Sequence, residues 1–208
     1  RDASHELRTP VTVIKGSVEL LKRKLSIEEK SVNRPLERIE RSVINMENII
    51  ETLLWLSRED AVIDQNQNFA VLSAVRETIE QNRYLIGNKS IDIEIVSEGE
   101  PHLTIPPPLF QIALTNLIRN AVQHTACGTI TVTVKNDRVL VADTGTGIDS
   151  EDLKRIAQSQ VSGNRSKGFG LGLSIVIRLC NRLGWDFEIE SEVGRGTTVE
   201  LIFLRTSA

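Results

Sequence analysis

Four short stretches of this chain hold residue types that can do chemistry. The first is Ser4-His5-Glu6-Leu7-Arg8-Thr9-Pro10. His5 lies two residues before the apolar Leu7, about 200° around a helix, so its ring is expected to face solvent. Thr9 follows one turn later on the same side. Pro10 cannot donate to the Glu6 carbonyl, which predicts a kink. With a reference pKa of about 6.5, an exposed imidazole is neutral much of the time near pH 7. Its free nitrogen is then a nucleophile, and Glu6 could accept the proton released. The plain alternative is a solvated histidine near a helix start.

The second stretch is Asn116-Leu117-Ile118-Arg119-Asn120-Ala121-Val122-Gln123-His124. Asn116, Asn120 and His124 are spaced by four and share one helix face, opposite much of the apolar content. Amide oxygens there could complete the shell of a hard cation such as Mg²⁺ that phosphates also hold; otherwise this is a polar outer face. The third, Asp143-Thr144-Gly145-Thr146-Gly147-Ile148, puts a carboxylate at the end of an apolar strand, followed by two glycines. The carboxylate could accept from an exocyclic amine while the glycines admit a ligand close to the backbone; otherwise it is a strand-ending turn. The fourth, Gly168-Phe169-Gly170-Leu171-Gly172-Leu173, opens a helix whose bared amides would attract an anion. It follows no strand and lacks the Lys-Ser/Thr pair of a P-loop, so the dinucleotide fold and the P-loop are both poor fits.

The elements that must position these stretches fall into two groups. Leu7, Val11, Ile14, Val18, Leu21 and Leu25 form a heptad seam, repeated by Leu36, Ile39, Val43, Met46, Ile50 and Leu53 after a break near Ser26–Asn33. Pro35 suits the first turn of the second helix, with Asn33 as its cap. The two helices read as an antiparallel hairpin, and two such hairpins would cover both seams as a dimeric four-helix bundle. The polar run Asp64-Gln65-Asn66-Gln67-Asn68 reads as a linker. Beyond it the spacing predicts helices over 72–86, 106–124 and 168–183. Strands are predicted over 91–95, 129–135, 138–142, 187–190 and 198–204. Turns fall at Asn136-Asp137 and Gly194-Arg195-Gly196. The second group is thus a layered α+β domain with a mixed sheet.

Composition bounds the function. The chain has 208 residues, 40% hydrophobic, with a net charge of −3. A core can be buried, and the basic excess usual for a nucleic-acid binder is lacking. Cys127 and Cys180 form no C-x-x-C pair, which argues against zinc and a disulfide scaffold. No apolar run approaches the roughly 18–20 residues that span a bilayer. The only methionine is Met46 and the chain opens on Arg1, so it is expected to be a piece of a longer protein.

In this order, the four stretches resemble the catalytic core of two-component sensor histidine kinases. Ser4–Pro10 is similar to the phosphoacceptor box, Asn116–His124 to the N box, and Asp143–Ile148 and Gly168–Leu173 to the two glycine boxes. Gly194-Arg195-Gly196-Thr197 is similar to a short C-terminal glycine motif. The resemblance implies a dimerisation and histidine-phosphotransfer hairpin at 1–62, a linker at 63–67 and an ATP-binding α/β sandwich at 68–208. The implied sandwich is that of the gyrase, chaperone, kinase and mismatch-repair superfamily. It implies that Asp143 reads the adenine amine and that Asn120 ligates Mg²⁺ with Asn116 in support. Gly168, Gly170 and Gly172 would hold the phosphates of ATP. His124, Gly145, Gly147, Ile148, Leu171 and Thr197 complete the nucleotide set. His5 would take the γ-phosphoryl group with Glu6 as base, then pass it to an Asp of a response-regulator receiver. Thr9 would orient water in dephosphorylating that receiver. The implied place is the cytoplasmic part of an inner-membrane-anchored bacterial sensor.

Three departures from the family stand out. Gln123 occupies a position where many members have a Lys facing the phosphates. Residues 149–167, the expected ATP lid, are short and lack an aromatic pair, although Arg165 and Lys167 could supply charge. Thr144 stands where Asn is common. Two other readings remain open here: a degenerate core acting mainly as a response-regulator phosphatase, and a nucleotide-driven clamp ATPase, which would not need His5-Glu6.

Overall fold

The computed structural model describes residues 67–162 and 171–203, together with Ile14, Gly16, Ser17, Ile39, Val43 and Met46. The chain divides into two compact units, Arg1–Ala61 and Val62–Ala208.

In the first unit the six described positions are all helical. Of the seam residues among them, Val43 is buried at 3% exposure, while Ile14, Ile39 and Met46 are 41%, 44% and 45% exposed. Apolar side chains of the predicted seams therefore stay open in the single chain. The rest of the predicted hairpin, with its break near Ser26–Asn33, lies outside the described residues.

The second unit opens with strand β1 (Gln67–Ala70), helix α1 (Val71–Asn82), a 3-10 turn (Arg83–Ile86), β2 (Ser90–Ser97) and β3 (His102–Ile105). Helix α2 (Pro107–His124), β4 (Cys127–Val134) and β5 (Arg138–Asp143) follow. The chain then forms α3 (Ser150–Ser162), α4 (Leu171–Leu183), β6 (Asp186–Glu192) and β7 (Gly196–Ile202). Five strands make one mixed sheet in the order β2-β4-β5-β7-β6, and β1 pairs with β3 in a small antiparallel sheet. Only β2 and β4 run parallel within the large sheet.

The sheet is covered on one face, and its alternation follows from that. In β4, Ile130, Val132 and Val134 are buried, while Thr129, Thr131 and Thr133 between them are half-exposed. The prolines opening α2 suit a first turn, where their missing donors cost no helical bond. That helix packs against α1, α4 and β5. Its Phe110, fully buried, meets Phe69, Trp185 and Phe203 at ring-centroid distances of 5.8, 6.5 and 6.2 Å. Such tilted and edge-on pairs add about 0.5–1.5 kcal/mol each beyond the area they bury.

Three elements depart from the sequence expectation. Gln67 and Asn68, in the run read as linker, belong to β1, where Asn68 Nδ2 donates to Thr104 Oγ1 on β3 at 3.2 Å. Tertiary pairing overrides the weak strand propensity of Asn and Gln. Strand β3 itself was not expected. Most of the expected lid is helix α3 rather than loop: Asp149 Oδ1 accepts from the Glu151 and Asp152 N–H groups at 3.0 and 2.8 Å, and acidic residues fill the first turn. Residues 163–170, including Arg165, Lys167, Gly168 and Gly170, lie outside the described residues. No helix among the described residues is long and apolar enough to cross a membrane.

Candidate functional site

Three strands, two helices and the loop after β5 enclose a cavity of about 310 Å³. Strand periodicity explains its floor. Val139, Val141 and Asp143 share the covered face of β5, so the step from Val141 to Asp143 exchanges an apolar side chain for a carboxylate without changing sides. The register sets Asp143 opposite Thr197 on β7 and Thr197 opposite Ser191 on β6. A polar row, Asp143–Thr197–Ser191, therefore crosses three strands next to the apolar row Val141–Val199–Ile189, whose three residues also line the cavity. Leu117 and Leu173 close it from the helices.

The polar row is tightly bonded. Asp143 Oδ1 accepts from the Gly145 N–H at 2.8 Å, and its carboxylate also accepts from the Thr197 N–H. Burial pushes the Asp143 carboxyl above the usual carboxylate range; these two amides and nearby His124 oppose that shift without cancelling it. Ser191 Oγ is a hub, 2.8 Å from Thr197 Oγ1, from the Gly196 carbonyl and from the Ile148 N–H. The turn between β6 and β7 closes onto the loop after β5, where Gly194 N–H donates to the Thr146 carbonyl at 2.8 Å. Two glycines are required by this closure. Gly147 (φ 67°) and Gly196 (φ 109°) have left-handed backbones, and a Cβ would strike the Glu192 carbonyl at the first and the Asp143 carbonyl at the second. Thr144 is committed elsewhere: its Oγ1 accepts from the Thr129 N–H at 3.0 Å and stitches the loop to β4.

The opposite end is built from helices. Asn116 is 2% exposed and Asn120 half-exposed, so the alternative of a plain outer polar face does not hold at these two positions; His124, at the helix end, is exposed. The face turns toward α4, because α2 is packed on several sides. Asn116 Nδ2 donates back to the Ile112 carbonyl at 2.8 Å. A Cβ added at Gly172, in the first turn of α4, would lie 3.0 Å from Asn116 Oδ1 and 3.2 Å from Asn120 Oδ1. Two amide oxygens, suited to a hard cation, thus face a helix N-terminus suited to an anion.

The structure brings Asn120, His124, Asp143, Gly147, Ile148 and Thr197 together on the cavity wall, with Gln123 beside them. Gly145 and Gly172 touch this group through Asp143 and the two asparagines. Leu171 opens α4. His5, Glu6 and Thr9 lie outside the described residues, as do Gly168 and Gly170. Sequence reasoning missed Ser191 and the apolar row; a cross-strand register for the Phe187–Leu204 hairpin would have aligned Ser191 with Thr197.

Comparison with known proteins agrees with this layout. Residues 106–207 match the family described as histidine kinase-, DNA gyrase B- and HSP90-like ATPase, and residues 1–62 match the His Kinase A (phospho-acceptor) domain. The chain belongs to the histidine kinase family. A relative, the signal transduction histidine-protein kinase ArlS of Staphylococcus aureus (strain USA300), is 29% identical over 97% of this chain and 47% of its own length. The chain thus spans about half the length of the curated relatives it matches. Among solved structures, full-length ShkA in complex with AMPPNP is 24% identical. It aligns with a TM-score of 0.65 over 99% of this chain and 45% of its own. Acinetobacter baumannii histidine kinase AdeS is 16% identical, with a TM-score of 0.59 over 96% of this chain and 98% of its own. At these identities the likeness speaks for the fold: a helical N-terminal region and an α/β ATP-binding domain with a mixed sheet.

Proposed function

We propose that this chain is the core of a sensor histidine kinase that moves the γ-phosphoryl group of ATP to His5 and then to an Asp of a response-regulator receiver. The observation that carries the nucleotide half of the reading is the half-buried Asp143 carboxylate on the floor of an apolar-walled cavity. The residues present fit an adenine nucleotide. Flat apolar walls from Val141, Val199 and Ile189 suit a ring, and the carboxylate offers an acceptor to an exocyclic amine. The side-chain-free Gly172 lets the first turn of α4 approach the Asn116 and Asn120 oxygens closely, so that the helix N-terminus, suited to phosphate oxygens, stands beside them. The donor set also fits Mg²⁺ in its usual form, held by phosphates and one or two protein oxygens, here Asn120 with Asn116 behind it. Bound there, Mg²⁺ would neutralise phosphate charge.

The chain's own residues then divide the work. Asp143 orients the base, the amides that open α4 hold the phosphates, and Asn120 orients the metal-bearing end. Gly168 and Gly170 belong to the same phosphate-binding run on the sequence reading. His5 supplies the nitrogen that bonds phosphorus as the bond from phosphorus to the departing ADP oxygen breaks, and Glu6 takes the proton His5 loses. Thr9, four residues after His5, orients water when the receiver is dephosphorylated. A second copy of the chain covers the seams, as the exposure of Ile14, Ile39 and Met46 in one copy supports. In the whole protein this core would sit on the cytoplasmic side of a membrane-anchored sensor.

Incubation with γ-labelled ATP and Mg²⁺ tests the reading. The wild-type chain should take up acid-labile, alkali-stable label and His5→Gln should take up none. Label retained by His5→Gln, or phosphate release without labelled protein, would overturn it.

A further inference from the structure

The geometry points to Lys89 as a positioning residue for the nucleotide pocket, acting through the last carbonyls of α2 on the loop that follows Asp143. This rests on the nucleotide reading above. Lys89 belongs to none of the motifs that carry the family resemblance. It sits between the 3-10 turn and β2, held by its own N–H donating to the Ile86 carbonyl at 3.1 Å. Its ammonium donates to the carbonyl of Val122, to that of Thr125 at 2.9 Å and, more weakly, to that of Gln123 at 3.4 Å.

A helix end leaves its last four carbonyls without intrahelical partners, and a left-handed glycine just beyond is the common remedy. Helix α2 has no such glycine. It runs into Thr125, whose φ of −104° and ψ of 125° are extended, and then into Ala126 and Cys127. The carbonyls from Ala121 to Thr125 are instead satisfied from three directions. Ala121 accepts from the Thr125 N–H at 3.0 Å, His124 accepts from the Thr146 N–H at 3.1 Å, and Lys89 serves the other three. A cation at this end also opposes the negative pole of the helix.

Both neighbours of that anchor are parts of the pocket. Gln123 and His124 line it, and the Thr146 amide that bonds the His124 carbonyl lies one residue before Gly147. Thr146 in turn accepts from Gly194 in the β6–β7 turn. Lys89 therefore fixes the point where the α2 end, the loop after Asp143 and the hairpin meet, while among the described residues its ammonium bonds to α2 carbonyls and the carbonyl beyond them. Released from Lys89, the last turn of α2 would fray and carry the His124 carbonyl away from Thr146.

Lys89→Met, which keeps the stem and removes the charge, should weaken ADP binding in calorimetry by about tenfold. Lys89→Gln should weaken it less, and Lys89→Arg should stay within about threefold of wild type. Measured well below each melting midpoint, a merely structural loss would lower the midpoint and leave the affinity alone. Amide exchange at Thr146 in the nucleotide-free chain gives the local readout, and it should quicken in Lys89→Met and Lys89→Gln. ADP affinity within about twofold of wild type in Lys89→Met, Lys89→Arg as weak as Lys89→Met, or unchanged Thr146 exchange would each overturn the assignment. If Lys89→Met does not fold, Lys89→Gln carries the same two criteria. A wild-type chain that binds no ADP would overturn the nucleotide reading instead, and the exchange comparison would still decide whether Lys89 holds the loop.

Discussion

The two ends of the pocket are built by different means. The end that holds Asp143 is made of strand ends and turns locked through the backbone: Gly145, Thr197, Gly194 and Ile148 all contribute N–H groups, and Ser191 binds three partners at once. The end that holds Asn116, Asn120 and Gly172 is two helices approaching through side-chain amides, and Asn116 Nδ2 bonds back to its own helix. A ligand ring needs a slot of fixed width, and backbone ladders give one because few dihedrals remain free. Phosphates and a hydrated cation need adjustable oxygen and amide ligands, which helix termini and short side chains provide. Substitutions in the backbone framework of the first end should therefore act through the fold, and those among the side-chain ligands of the second through chemistry.

The largest expected effect tests the backbone end. Gly196→Ala would force a Cβ against the Asp143 carbonyl at a left-handed φ, so about 3 kcal/mol or more of stability should be lost. Thermal unfolding followed by circular dichroism should show a midpoint lower by about 6–12 °C or more. A melting curve like wild type would mean that the hairpin does not lock the loop.

At the helical end, Asn120→Asp should leave the melting curve near wild type while slowing Mg²⁺-dependent label uptake on the order of 10–100-fold. Titrating Mg²⁺ should show an altered dependence. A variant that loses ADP affinity in the absence of metal would instead assign Asn120 to the base end and blur the distinction.

Asp143→Asn separates binding from stability within one residue. Loss of the charged acceptor should cost about 1–3 kcal/mol of ADP affinity. Yet the folded pKa of Asp143 is raised, so its contribution to stability is present below the unfolded pKa and is lost as pH rises through the folded value. Above that raised pKa the ionised carboxylate is a burden, and the Asn variant should melt no lower than wild type there. Wild-type ADP affinity should fall as pH drops through that raised pKa, whereas the affinity of the variant should stay level. Calorimetry across that range decides it.

Gly172→Ala should have the smallest effect on stability. Alanine gains about 1 kcal/mol of helix propensity over glycine, against a tight Cβ contact with the Asn116 and Asn120 oxygens. Its signature should be weaker binding of Mg²⁺-nucleotide with metal-free ADP binding retained. Equal losses of both would show that the two ends act as one rigid site.

Much of this was legible in the sequence because it is local. Period-2 alternation over Ile91–Ile95 marked β2, proline marked the entry to α2, and the order of Asn116–His124, Asp143–Ile148 and Gly168–Leu173 carried the family. The four-residue spacing of Asn116, Asn120 and His124 put them on one face, since a helix repeats every 3.6 residues wherever it lies. What that face looks at is not local. Whether it meets water or α4 depends on which elements pack around α2, and the burial of Asn116 decided it. In the same way Asn68 became a strand residue because β3 was there to pair with it. Ser191 entered the site because the register set it opposite Thr197, and Lys89 closed a helix that begins 18 residues after it. A sequence fixes which groups a segment can offer. The fold alone chooses their partners, since hydrogen bonds and burial act across distances in space that chain order does not record.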